Sequence, residues 1–531
     1  MRVAENTEAG RSDSAAPTPP AIQLKGISKS FGPVKANKDI SMTVAKGSIH
    51  GIVGENGAGK STLMSILYGF YKADAGEVFI NGNKVNITDS HAAIAAGIGM
   101  VHQHFMLVEP FTVLENVVMG AEEGRLLRPS LAKARATLKQ LAEEFELDVD
   151  PDAIVGELSV GFQQRVEILK ALYRQADILI LDEPTGVLTP AEADHLFRIL
   201  RNLKDQGKTI ILITHKLREI MDATDSVSVM RRGEMTETIP TSTTSPADLA
   251  EKMVGRRVLL EVAKTPAKPG DVVLEVKGLN VTDSQGVKKL KDVNFTLRTG
   301  EILGIAGVAG NGQSELLEVL GGFRAATSGE IRVNGALIDL SPKANAGMRR
   351  SKGIGHIPED RHRRGMVMPF MAWENTALGY HNKAEFQGRM GLHDQAAMRE
   401  DARKKIERFD IRPPNENLIA SNFSGGNQQK IVVAREIEAN PEVLLVGQPT
   451  RGVDIGAIEF IHQQIVNLRD AGKAILLVSV ELDEIQSLSD RIIVMFDGVI
   501  QGERLPDDTD ERELGLMMAG AAKNPEAGGK S

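Results

Sequence analysis

Short apolar runs without polar alternation recur along the chain. Three in the first half, Ser48 to Val53, Ile178 to Leu181 and Thr209 to Ile213, have the pattern of strands buried on both faces of a parallel sheet. Between them lie stretches of helical period. Gly161 to Arg174 places Val166, Leu169 and Leu172 on one face, and Ser61 to Tyr68 reads as a helix opening after a glycine-rich turn. This alternation predicts an α/β architecture with P-loop organisation. The longest apolar runs, such as Ile178 to Leu181 and Ala474 to Val478, fall far short of the ~18 residues a membrane-spanning helix needs.

The pattern occurs twice. Gly54-Glu-Asn-Gly-Ala-Gly59 is answered by Gly307-Val-Ala-Gly-Asn-Gly312, Ser159-Val-Gly161 by Ser424-Gly-Gly426, Pro184-Thr185 by Pro449-Thr450, and Asp225 with Ser226 to Met230 by Asp490 with Arg491 to Met495. The later matches run at a wider spacing than the first, so the second copy carries insertions between them. The copies are placed at 21–258 and 272–519. The intervening 259–271 contains Val262-Ala-Lys-Thr-Pro-Ala-Lys-Pro-Gly270, which reads as a short, stiff, solvated linker. Residues 1–20, rich in Ala, Ser, Thr and Pro and without the apolar core of a secretory signal, and residues 520–531 read as disordered tails.

Composition narrows the chemistry. The 531 residues are 42% hydrophobic and 25% charged, as in a soluble globular protein of more than one domain. With 63 Lys+Arg against 71 Asp+Glu, a formal charge of −8 gives no drive toward nucleic acid or anionic lipid, and 4% aromatic residues do not favour a base-stacking surface. The absence of cysteine excludes disulfides, thiolate zinc sites, iron–sulfur clusters and a Cys nucleophile.

The first copy carries the candidate chemistry. Gly54-x-x-x-x-Gly59-Lys60-Ser61 stands between a predicted strand and a predicted helix, where Gly54, Glu55, Asn56, Gly57, Ala58 and Gly59 can curl backbone N–H groups around phosphate. Lys60 would bridge the terminal phosphates, and Ser61, followed by Thr62, would offer its hydroxyl to Mg²⁺. Downstream, Ile178-Leu-Ile-Leu-Asp182-Glu183 delivers two carboxylates to the carboxyl edge of the sheet, Asp182 suited to the metal and Glu183 to orienting and polarising the attacking water.

With these motifs, Leu158-Ser-Val-Gly-Phe-Gln-Gln-Arg165 and Phe423-Ser-Gly-Gly-Asn-Gln-Gln-Lys430, each opening a helix, resemble the signature segment of ABC transporter nucleotide-binding domains. The resemblance implies two tandem P-loop ABC domains, each with a mainly parallel sheet core, an antiparallel β subdomain and a helical signature subdomain. It implies that Gln103 is the Q-loop residue sensing metal and transporter, His215 the switch histidine, and Phe31 the aromatic that stacks on adenine. It further implies that each signature grips the γ-phosphate of ATP held by the opposite domain.

The second copy departs from the pattern position by position. Lys60 becomes Gln313, followed by Ser314; Gln103 becomes Glu359, Asp182 becomes Gly447, Glu183 becomes Gln448, His215 becomes Val480 and Phe31 becomes Ser284. Hydrolysis there is expected to be negligible, although the loop from Gly307 to Gly312 retains backbone amides for phosphate. The signatures are unequal in the opposite sense. Ser424, Gly425 and Gly426 are intact and are followed by Asn427, whereas Val160 stands at the middle glycine of the first copy, and Asp454 stands where the first copy has Thr189. In a head-to-tail pair every intact element falls at one interface.

Tandem halves with one degenerate site are similar to the ATPase subunits of bacterial simple-sugar and nucleoside importers, as are Gly99 to Leu107, Ile213 to Leu217, His356-Ile-Pro-Glu-Asp-Arg361 and Gln448 to Asp454. Val101-His-Gln-His-Phe105 and the Ser-Val-Gly signature look more like the nucleoside branch than the ribose or galactose branch. The resemblance implies two transmembrane permease subunits and an extracytoplasmic solute-binding protein as partners, a peripheral position on the cytoplasmic face of the membrane, and no direct contact with solute or nucleic acid. Soluble twin ATPases acting on ribosomes or DNA are the rival class. Those on ribosomes join their halves by a long charged helical linker and keep both sites, and the excision-repair ATPases need cysteine-bound zinc.

Overall fold

The computed structural model describes residues 19–521 except 33, 103, 104, 122–126, 187, 189, 258–261, 309 and 389–391. Gln103, Thr189 and most of both expected tails therefore lie outside the described residues.

Each copy has two sheets. In the first, Val34–Val44, Ile22–Phe31, Ala75–Ile80 and Asn83–Val85 form an antiparallel sheet in that order. The second sheet runs Glu234–Pro240, Ser226–Arg231, Ile49–Gly54, Thr209–Ile213, Ile178–Asp182, Ile98–Val101, parallel throughout except for its first strand. The predicted strands appear within a residue of their expected bounds. Central placement explains their composition: Gly51 pairs with Leu212 on one side and Val227 on the other, and all six residues of Ile49–Gly54 are buried.

The second copy repeats this topology. Its antiparallel sheet runs Lys288–Arg298, Val272–Thr282, Ser328–Val333, Ala336–Leu337, and its larger sheet Ile354–Ile357, Val443–Gly447, Ala474–Ser479, Ile302–Ala306, Arg491–Phe496, Val499–Arg504. In both, the parallel sheet is packed on one face against the antiparallel sheet and on the other against helices, among them Val160–Tyr173 in the first copy and Gly425–Glu438 in the second. No helix among the described residues is long and apolar enough to cross a membrane.

The copies touch. Ile455 of the second copy is buried with Val53, Ile220, Val229, Leu249 and Met253 of the first. The helix Glu511–Met518 packs against Pro190–Asp205 as well as against its own sheet. Lys216 pairs with Glu481 at 2.8 Å and Arg256 with Glu459 at 2.8 Å.

Residues 262–270 carry contacts that a solvated linker does not require. They are mostly exposed, but Val262 packs on the second core, Lys264 donates to the Ser489 carbonyl at 2.5 Å, and Arg469 donates to the Thr265 carbonyl at 2.8 Å. Proline spacing and charge describe the stiffness of such a segment but not the buried Arg469 that captures its backbone.

Candidate active site

The first copy's phosphate loop joins the strand Ile49–Gly54 to the helix Lys60–Leu67. Gly59 has φ of 102°, and a Cβ there would lie 2.2 Å from the Ala36 carbonyl, so only glycine fits. A Cβ on Gly54 would meet the Met230 carbonyl at 2.2 Å. Asn56 and Gly57 are exposed at the loop tip, while Ala58 is buried and its N–H donates to the Glu55 carbonyl at 3.0 Å. The Lys60 ammonium folds back inside the loop, donating to the carbonyls of Gly54 at 2.7 Å and Glu55 at 3.1 Å. Its burial lowers its pKa, an effect opposed by the nearby charges of Glu183, Asp182 and Glu55.

Asp182 ends its strand within the influence of the Ser61 side chain. Burial, then the charge of Glu183, push the Asp182 carboxyl up, against the pull of Lys60 and Ser61. Glu183 has φ of 47°, a left-handed conformation unusual for glutamate, and accepts a 2.8 Å hydrogen bond with Nδ1 of His215. Burial pushes the Glu183 carboxyl up, but the His215 bond, with the charges of His215, Lys60 and Lys216, outweighs it and holds the pKa below its usual value. A carboxylate kept ionised beside Lys60 suits a proton acceptor. Phe31 is exposed at a strand end, with the Tyr71 ring edge-on at 5.1 Å. Thr62 is partly buried in the first turn of the helix.

In the second copy Gly312 repeats the φ of 102° and Gln313 is buried, its amide nitrogen against Gly307. Gln448 repeats the left-handed backbone at φ 46°, and its side-chain oxygen accepts from the Val480 N–H at 3.3 Å. The scaffold of the glutamate–histidine pair thus survives without an acid or a base. One feature escapes sequence reading. The side chain of Glu359 fills the space over Gly447, where a Cβ would lie 2.6 Å from its Cγ, and accepts from the Ser314 hydroxyl at 2.6 Å. A carboxylate therefore returns to the serine from another loop, its pKa raised by burial.

The intact signature lies in the second copy. The Ser424 hydroxyl accepts from the Asn427 side-chain amide at 2.8 Å, and the Asn427 carbonyl oxygen accepts from the Arg412 N–H at 2.7 Å. A Cβ on Gly426 would stand 2.7 Å from the Asp454 carboxylate, which also caps the next helix by accepting from Ala457 N–H at 2.8 Å. Ser159 makes no such cap, and Val160 is 37% exposed. The charge of Asp454 reaches the first copy's phosphate loop: burial, then Asp454, raise the Glu55 carboxyl to about 7, against Arg232, Arg231 and Arg256. The charge of Asp454 thus acts across the copies on Glu55, while the Ser424 hydroxyl is engaged within its own copy.

A pH dependence follows. A carboxyl with a raised folded pKa gains protons on folding, so its contribution to stability is present below the ordinary value of 4.5 and lost as pH rises through about 7. The thermal midpoint of the nucleotide-free protein should therefore fall more steeply across that window in the wild type than in Glu55→Gln. Equal slopes for both proteins would show that Glu55 is not held in this way.

Sequence reasoning missed Asn37, buried in a strand, whose amide donates to the Gly59 carbonyl at 3.1 Å, and Glu219, buried and hydrogen-bonded by Thr185. A lone polar residue in a strand or helix gives no signal in the chain. Only the fold brings these side chains to the loops they hold.

The ABC transporter family matches residues 37–186 and 290–451. The chain is 47% identical over 95% of its length to the nucleoside import ATP-binding protein NupA of Lactococcus lactis, of which 99% is covered. It is 47% identical over 96% of its length to the guanosine import ATP-binding protein NupO of Bacillus subtilis, of which 98% is covered. To the glucose import ATP-binding protein TsgD13 of Haloferax volcanii it is 44% identical over 94%, covering 96% of that protein. With two P-loop domains of matching topology and this near-complete alignment, the chain belongs to the ABC transporter family as an ATP-hydrolysing, ATP-binding subunit.

Proposed function

We propose that this chain powers import of nucleosides, with ATP hydrolysed at one composite site. Near-complete alignment at 47% identity with two proteins named for nucleoside and guanosine import carries the solute reading. Two permease subunits and an extracytoplasmic solute-binding protein would complete the assembly, with this chain peripheral on the cytoplasmic face. The domains are assigned to 21–258 and 272–519. Import of a sugar is the second reading, favoured by the 44% identity to the glucose import protein.

Under this reading each residue has a role. Lys60 and the amides from Gly54 to Gly59 hold the phosphates of ATP, with Phe31 against the base. Glu183, ionised and aligned by His215, takes the proton of the attacking water, and Gln103 is assigned the sensing of metal and transporter. Ser424, Gly425, Gly426 and Asn427 close on the terminal phosphate from the other copy, and Asp454 steadies that approach. Mg²⁺ fits the donor set, because the Ser61 side chain and the Asp182 carboxyl are close enough to influence one another and both are hard oxygen ligands. Ser61, Asp182 and Gln103 would hold the ion, which when bound neutralises phosphate charge. Gly307, Gly312, Gln313 and Ser314 retain a cradle in the second copy, but Gln313 brings no charge, and Gln448 and Val480 bring no base.

The test is the full transporter in lipid vesicles with its binding protein. Nucleoside-loaded binding protein should stimulate ATP turnover and solute uptake, whereas glucose and ribose should do neither. Stimulation by glucose or ribose alone would replace nucleoside with sugar.

A further inference from the structure

The second copy's counterpart of the Q-loop, Glu359-Asp-Arg-His-Arg-Arg-Gly365, is incomplete as a nucleotide sensor, yet one of its side chains is drawn into the complete half of the machinery. Asp360 accepts from the N–H groups of His362 and Arg363 at 2.9 and 3.0 Å, and Arg361–Gly365 forms a single π-helical turn. That turn sends the Arg361 guanidinium into its own copy's signature. Nη1 donates to the Arg451 carbonyl at 2.8 Å, Nη2 approaches the Gly452 carbonyl at 3.5 Å, and Nε approaches Oε1 of Gln428 at 3.4 Å. His362 Nε2 meets the same Gln428 oxygen at 2.8 Å. The Gln428 amide in turn donates to the carbonyls of Ala420 and Phe423 at 3.1 and 3.0 Å, on the stretch that leads into Ser424.

One planar group thus joins three loops: the Glu359 loop, the start of the signature helix, and the turn through Gly452 to Asp454. It also supplies a reason for Gly425 apart from phosphate. A Cβ at that position would lie 2.7 Å from Nη2 of Arg361 and 2.9 Å from the Gly452 carbonyl. The first copy changes both partners together. Phe105 and Met106 stand at the positions of Arg361 and His362, and neither side chain can donate to a carbonyl; Val160 stands at Gly425. Gln163, the counterpart of Gln428, makes the matching donations to the carbonyls of Val155 and Leu158, both at 3.1 Å. The framework is common to both copies, and the arginine clasp is particular to the signature that faces Lys60.

We infer that Arg361 is a positioning residue for ATP hydrolysis, fastening Gly425 and the turn before Asp454 into one unit that reaches the first copy's nucleotide together. The inference rests on the composite-site reading above. The Arg361 guanidinium is occupied by Arg451, Gly452 and Gln428 of its own copy, so its removal should lower turnover and leave ATP binding at the first copy intact. A lysine cannot replace it, because one ammonium cannot present the fork that spans two carbonyls and an amide oxygen.

The experiment compares Arg361→Phe, which installs the first copy's residue, with Arg361→Lys and Ser424→Arg in the assembled transporter. It reads kcat and KM for ATP, equilibrium binding of a fluorescent ATP analogue, and the thermal midpoint. Arg361→Phe should lower kcat on the order of 10- to 100-fold, as expected for displaced reacting groups, with analogue affinity unchanged. Arg361→Lys should recover only a minor part of that loss. Wild-type kcat in Arg361→Phe with an inactive Ser424→Arg would overturn the clasp and leave the composite site standing. Loss of analogue binding or of the thermal midpoint in step with kcat would reduce Arg361 to a structural role and overturn the inference. An active Ser424→Arg would overturn the composite reading and with it the clasp.

Discussion

Replacing Glu183 with glutamine should lower ATP turnover about a thousandfold, within the range attributed to a positioned general base. The substitution preserves shape, and the backbone already tolerates it, because Gln448 occupies the same left-handed conformation in the second copy. What is lost is the carboxylate that His215 and Lys60 keep ionised. ATP should still bind, since the phosphate loop and Lys60 are untouched, and the variant should accumulate in its nucleotide-bound form. Gln448→Ala removes a 3.3 Å bond from the Val480 N–H, a stability cost of about 1 kcal/mol, and should keep turnover within about twofold of wild type. Steady-state ATPase measurements with separate nucleotide-binding titrations check both. A comparable loss from Gln448→Ala would make the second copy catalytic and the assignment of one working site wrong.

The signatures give the second large effect. Ser424→Arg should abolish turnover, by more than about a hundredfold, because it places bulk where the second copy must close on the terminal phosphate, removes the Ser424 hydroxyl and keeps the following N–H groups from reaching it. Ser159→Arg faces the cradle of Gln313, Gly447 and Gln448 and should cost at most severalfold, through a weaker contact between the copies. The neighbouring Ile455 of the second copy packs with Val53 beside the first copy's phosphate loop, and the charge of Asp454 acts on Glu55. ATPase activity of both variants in the assembled transporter decides between them. An active Ser424→Arg with an inactive Ser159→Arg would invert the pairing of intact elements.

Contiguous features were legible in the chain. The phosphate loop, the carboxylates closing Ile178–Asp182 and the duplicated signature are local strings whose chemistry and spacing speak for themselves, and the buried parallel strands announce themselves by unbroken apolar runs. What depended on packing between distant segments was not legible. The filling of the space over Gly447 by Glu359, the support of Gly59 by Asn37 and the seating of residues 262–270 on Arg469 each join parts of the chain far apart in sequence. The left-handed backbone of Glu183 and Gln448 was likewise hidden, because neither residue type favours it and only the surrounding strands impose it.

The final helix, Glu511–Met518, lies against Pro190–Asp205 of the first copy, and its Glu511 pairs with Arg218. A ribosome makes the chain from residue 1 onward at about 5–20 residues per second, so the first copy is complete long before this helix emerges. During that interval one of its faces is bare. Ile455, too, arrives late to the cluster around Val53 and Met253. The half that carries the catalytic groups therefore acquires this part of its surface only after Ile455 and the Glu511–Met518 segment have been made.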